Sequence, residues 1–222
     1  MGAITRALGN SLTTGGVVKS TAINNTSISG ITSLPGAITG LGSLVLIKEI
    51  TASASASIEF INGTNGVVLD STYDSYVFSF IDIHPTGGNY TFGCQFSTDG
   101  GSTYTTTVTS TYFWAYHLES DATGFAYNTG LDQAQGTGTI FLNSAVNGSS
   151  DGNACGQLQL FNPSSTTFVK HFIARQNAHA PDPASVDNYK AGYLNTTSAI
   201  NAAKFFFNVG NFDGIIKLYG VS

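Results

Sequence analysis

Charge is scarce in this chain. Only 9% of its 222 residues are Asp, Glu, Lys or Arg, against about 25% in an average soluble domain. The eight Lys and Arg are scattered and the net charge is −5. A groove for nucleic acid needs several cations to neutralise phosphates, so nucleic acid is excluded as a partner. Cysteine is equally sparse. Cys94 and Cys155 are too few for a disulfide framework, and both are expected to be free, buried thiols. Neither has a neighbouring His or basic residue in sequence to mark a low-pKa nucleophile. No apolar run approaches the roughly 18 residues that cross a bilayer, which excludes membrane insertion by a helix. The opening "MGAITRALGNSLTTGG" has one Arg and no long apolar stretch, unlike a secretory signal. Arg6 stands where a myristoylation signal prefers Ser or Thr.

Several catalytic signatures are also missing. No Gly-x-Ser-x-Gly elbow occurs, so an α/β-hydrolase nucleophile is unsupported. Only three Glu are present, Glu49, Glu59 and Glu119. A glycosidase needs two carboxylates flanking a sugar. Asp74, Asp82, Glu119, Asp121 and Asp132 are available, but no spacing singles out a pair, and a glycan-degrading enzyme is the weakest of three readings. No cofactor motif is found. His117, Glu119 and Asp121 in "YHLESD" alternate and would share a strand face. That pattern can hold a metal, but no second His lies at ligand spacing, and a strand end entering a polar loop explains it as well. Asn-x-Ser/Thr sequons at Asn24, Asn25, Asn62, Asn89, Asn147 and Asn195 read as a by-product of an Asn/Ser/Thr-rich chain.

Gly, hydroxyl residues and aromatics are abundant. There are 26 Gly, 15 Phe and 10 Tyr, and 41% of residues are apolar, enough for a sizeable core. The chain divides in two. Residues 1–42 contain no aromatic. Their apolar residues Ile23, Ile28, Ile31, Leu34, Ile38 and Leu41 recur every few positions among Ser, Thr and Gly, with Pro35 interrupting. This composition disfavours a helix and predicts an extended segment. It has no core of its own, so it is expected to anchor the chain or to assemble with copies of itself. From residue 43 the texture changes to alternating strands separated by turn residues. Examples are "YDSYVFSFIDIH" (73–84), "YTFGCQFST" (90–98), "STYTTTVT" (102–109), "YFWAYHL" (112–118) and "AAKFFFNVG" (202–210). About eleven strands are predicted, with polar loops over 119–136 and 175–187. The expected fold for 43–222 is all-β, an antiparallel β-sandwich of jelly-roll type.

Two local patterns bear on function. Asp99-Gly100-Gly101 lies between two alternating runs. Without a following Lys-Ser/Thr helix or a ring of carboxylates it is neither a phosphate nor a calcium loop. It predicts the turn of a β-hairpin. Around the single Trp, alternation puts Tyr112, Trp114 and Tyr116 on one face and Phe113 and Ala115 on the other. Exposed rings stack on sugars or line interfaces, whereas buried rings are core. If the former, Tyr112, Trp114 and Tyr116 would form the glycan platform of a lectin-like module, the second reading.

The leading reading comes with a resemblance. "STYDSYVFSFIDIHP", "FSTDGGSTYTTTVTSTYFWAYHLESD", "LFNPSSTTFVKHF", "AGYLNTTSAINAAKFFF" and "GNFDGIIKLYGVS" resemble a family of virion structural proteins of tailed phages of aquatic bacteria, cyanophages among them, over roughly residues 43–222. The N-terminal "MGAITRALGNSLTTGGVV" is similar to the start of such proteins. The resemblance implies a non-enzymatic tail-fibre or capsid-associated protein with no catalytic residues. Its partners would be its own copies, as a homotrimer, and other virion proteins of the tail or capsid, and the head would either recognise a host-surface glycan or decorate the capsid. Its location would be the virion, assembled in the bacterial cytoplasm, where free thiols are expected.

Overall fold

The computed structural model describes residues 44–222. The expected assembly segment 1–42, with Ile23, Ile28, Ile31, Leu34, Ile38 and Leu41, lies outside the described residues. Those residues form thirteen strands and no helix. They are β1 (Leu44–Ser55), β2 (Ile58–Ile61), β3 (Ser75–Pro85), β4 (Phe92–Ser97), β5 (Val108–Leu118), β6 (Thr123–Tyr127) and β7 (Gln133–Gly136), then β8 (Ile140–Phe141), β9 (Ala154–Phe161), β10 (Lys170–Ala180), β11 (Ala184–Leu194), β12 (Ala202–Phe207) and β13 (Phe212–Val221). All pairings are antiparallel. The larger sheet runs β1-β13-β3-β9-β10-β11-β5-β6, with β7 also paired to β5, and the smaller runs β2-β12-β4-β8. The fold is an all-β sandwich of two antiparallel sheets, as the alternation predicts.

Aromatic side chains join the sheets. The inward positions of β3 (Tyr76, Phe78, Phe80), β4 (Phe92, Cys94, Phe96) and β12 (Phe205, Phe207) are buried. Phe205 lies at the centre, with ring centroids 4.9 Å from Phe78, 5.2 Å from Phe80 and 6.1 Å from Phe60. Each fully buried ring contributes about 1.5–3 kcal/mol of transfer free energy, and the edge-to-face geometry adds to it.

Toward β11 and β5 the inner face becomes polar. Asn188 is fully buried, and both ends of its side-chain amide are bonded. Its Oδ1 accepts from the Tyr112 hydroxyl (2.5 Å) and the Ser144 N–H (3.2 Å). Its Nδ2 donates to the Gln176 and Val186 carbonyls, each at 3.0 Å. Gln176 Oε1 in turn accepts from Asn143 at 2.5 Å. Lys170, fully buried, donates to the Thr196 (3.1 Å) and Ser198 (2.6 Å) carbonyls. These bonds offset the cost of burying polar groups.

Four expectations need correction. The polar stretch 175–187 is no loop. It belongs to a long hairpin in which β10 and β11 pair from Lys170↔Leu194 to Ala180↔Ala184, leaving only residues 181–183 to turn. The stretch 119–136 holds β6 and β7. Asp99-Gly100-Gly101 does turn the chain, with φ of 72° at Gly100 and 83° at Gly101, but it closes no hairpin. β4 lies in the small sheet and β5 in the large one, and residues 103–107 cross between them without strand structure. Finally, Cys94 is free and buried as expected, whereas Cys155 is free and exposed. Its side chain leaves β9 on the side away from the core, beside Asp82, whose backbone N–H donates to Sγ at 3.3 Å.

Candidate ligand-binding face

The register of β5 decides where its aromatic run points. Tyr112 pairs with Lys190, Trp114 with Asn188 and Tyr116 with Val186, all on the inner side. Tyr112 is fully buried and bonded to Asn188. Burial drives its phenol pKa well upward. Trp114 packs edge-on against it at 5.6 Å. Trp114, Tyr116 and Leu118, half-buried, pack against Ala180, Ala184 and Val186 as a satellite of the core. Tyr112 therefore has no ring face free for a sugar, and only Trp114 and Tyr116 retain partial exposure.

The alternate residues of β5 face the other way. Phe113, Ala115 and His117 lie on the outer surface of the large sheet and pair with Tyr127, Phe125 and Thr123 of β6. Phe113 also pairs with Tyr189 of β11, and their rings stack at 4.9 Å with 9° between planes. Phe125, 71% exposed, leans on Phe113 at 5.4 Å. The Tyr127 hydroxyl donates to Asp132 at 2.6 Å.

Polar groups continue this row on β10 and β11. Arg175 grips Asp187 through Nη2 at 2.6 Å and through Nε at 3.1 Å, and its guanidinium lies 5.1 Å from the centre of the Tyr189 ring. The Tyr189 hydroxyl donates to Asp187 at 2.9 Å. The Arg175 hydrogen bonds hold the Asp187 carboxyl below its ordinary pKa, and Asp187 holds the Tyr189 phenol above its own. Asp187, Arg175, Tyr189, Phe113 and Phe125 thus form one chain of contacts on four adjacent strands. A recess of about 390 Å³ beside it is lined by Cys155, Gly156, Gln157, Arg175, Asn177 and Asp187.

The remaining candidates lie apart. His117 Nε2 meets Asp121 Oδ1 at 3.2 Å across the β5–β6 turn, while Glu119 points into solvent, so the expected three-residue face is not assembled. Asp82 accepts from Asn153 Nδ2 at 3.1 Å and Asp132 is engaged by Tyr127. Glu49 pairs with Lys217 at 3.0 Å and Glu59 with Lys204 at 3.5 Å. The Asp99 carboxylate caps its own turn, accepting from the hydroxyls of Ser97 (2.6 Å) and Thr103 (2.7 Å) and from the Thr103 N–H (2.9 Å). These bonds lower its pKa to about 2. Among the described residues no three His, Cys, Asp or Glu side chains group as metal ligands, and no helix is long and apolar enough to cross a membrane.

Phe125, Tyr189, Arg175 and Asp187 were not distinguished by the sequence. Phe125, Arg175 and Asp187 fall in stretches that read as loops. The available signal was the alternation of Phe125 and Tyr127 in "TGFAY". Compared with known proteins, the chain matches no family model, no curated protein and no solved structure.

Proposed function

We propose that this chain is a non-enzymatic structural protein of a tailed-phage virion. It is an appendage, a tail fibre or a capsid fibre or decoration, that attaches and trimerises through residues 1–42 and carries its β-sandwich as a head. The observation that supports this reading most is the start of β1. Leu44, Val45 and Leu46 are all exposed, on both sides of an edge strand. Proteins guard such edges against pairing. Further along β1, Lys48, Glu49 and the register shift between Ala52 and Ser55 guard it, whereas among the described residues Leu44, Val45 and Leu46 carry no charge or Pro. An apolar edge directly after an Ile/Leu-rich, charge-poor stretch suits a chain made to assemble, and closed cyclic symmetry is the usual outcome. The resemblance of residues 43–222 to phage virion proteins supports the choice of a phage particle.

The test is labelling. Antibodies against residues 43–222 should decorate purified particles of a phage encoding this chain in immunogold electron microscopy. Signal in infected cells with none on purified particles would overturn the reading.

A second reading, a carbohydrate-binding lectin-like module, is favoured by one observation. The exposed ring of Phe125, resting on half-buried Phe113, shares a sheet face with the Arg175–Asp187 pair. The two readings are compatible, because a virion head that recognises a host surface needs such a site.

A further inference from the structure

We propose that the outer face of β5, β6, β10 and β11 binds a neutral pyranoside, stacked on Phe125, whose ring rests on Phe113, and hydrogen-bonded by Arg175, Asp187 and Asn177. The inference rests on the reading of the sandwich as a recognition head and gives that head its site and ligand class.

The register sets the dimensions. Phe125 pairs with Ala115, Ala115 with Asp187, and Asp187 with Asn177, so the four share one row across the sheet. Neighbouring strands are about 4.8 Å apart, which puts the backbones of Phe125 and Asp187 about 10 Å apart with only a methyl group between them. Along β5 the same position is bounded by Phe113 and His117. The row therefore offers a shallow trough with an aromatic wall on one side and a polar wall on the other. The C–H face of a pyranose lies on an aromatic ring while its hydroxyls reach outward, which matches this division.

The polar wall suits hydroxyls. Each sugar hydroxyl both donates and accepts. Arg175 uses Nε and Nη2 on Asp187 and has further N–H groups on a side chain that is 63% exposed. Asn177 donates to Ser185 at 2.9 Å and to the Val186 carbonyl at 3.4 Å, leaving its own carbonyl oxygen to accept. Donor and acceptor edges thus stand side by side, held by an ion pair on strands rather than loops, so little ordering is needed on binding. The charges cancel within the pair. A nucleotide or acidic polymer would need uncompensated cations here, and a neutral saccharide does not.

The experiment uses the full chain and saturation-transfer NMR with the methyl pyranosides of glucose, galactose, mannose, rhamnose and N-acetylglucosamine as probes. At least one should show transfer. Phe125→Ser, at a position too exposed to threaten the fold, and Asp187→Asn should each weaken that binding by about tenfold or more, the scale of one lost ring or hydrogen-bond contact. No transfer to any of the five, or binding that survives both substitutions, overturns the site. If immunogold still places such a chain on the particle, this site alone is lost and the structural reading stands.

Discussion

At the scale of a residue, Lys190 connects the fold to pH. Its side chain is 2% exposed on the inner face of β11. Its Nζ donates to the Leu131 carbonyl and lies 5.2 Å from the centre of the Tyr112 ring. Burial lowers its pKa to about 8, against smaller opposing pulls from Cys94 and Asp132. The unfolded chain holds this proton up to the ordinary lysine range, while the folded chain releases it near 8. Between those values the unfolded state binds more protons, so stability rises with pH. Cys94 and Tyr112 act in the opposite sense at higher pH. Burial raises both, so above their ordinary values the unfolded chain loses protons that the folded one keeps. The window left to Lys190 is about pH 8 to 9. The urea midpoint of the native chain is expected to rise across it, and that of Lys190→Met to lose that rise. An equal rise in both would refute the assignment.

At the scale of an element, the β10–β11 hairpin and its pairing with β5 hold the outer face in place. Gly192 of β11 pairs with Ser110 of β5 on one side and Phe172 of β10 on the other. A Cβ there would lie 2.5 Å from the Thr109 carbonyl oxygen, 2.8 Å from Ser110 Cβ and 2.9 Å from the Phe172 ring. Gly192→Val should therefore destabilise the protein by about 1–3 kcal/mol through overpacking, and an unchanged denaturation midpoint would contradict the packing described. This hairpin is also where the sequence is hardest to read. β3, β4 and β12 are legible because Phe alternates with small or polar residues, and that contrast is the period-two signal itself. Across 175–187, the inner parts of β10 and β11, the inward positions are Gln176, Ala178, Ala180, Ala184 and Val186, and the outward ones include Arg175, Asn177 and Asp187. With mostly small and polar side chains on both faces the alternation there has little hydrophobic contrast, and this stretch looks like loop. The same holds for the candidate site. Period two shows that Tyr112, Trp114 and Tyr116 share a face, but the choice of inner or outer face depends on pairing with distant strands. The polar wall came from residues that read as loop.

At the scale of the whole molecule, the described residues 44–222 contain one main core, built from both sheets. The alternation, the turn residues and the change of texture at residue 43 were enough to read a two-sheet all-β fold. The distribution of strands between the sheets, nine and four, depends on long-range pairing that no local pattern encodes. The central claim is that the chain is a building part that assembles in copies through its N-terminal segment. The most direct test is the native mass in solution, by light scattering, of the full chain and of a chain starting at Ser43. The account predicts a trimer for the full chain and a folded monomer for the shorter one. A monomeric full chain would contradict it.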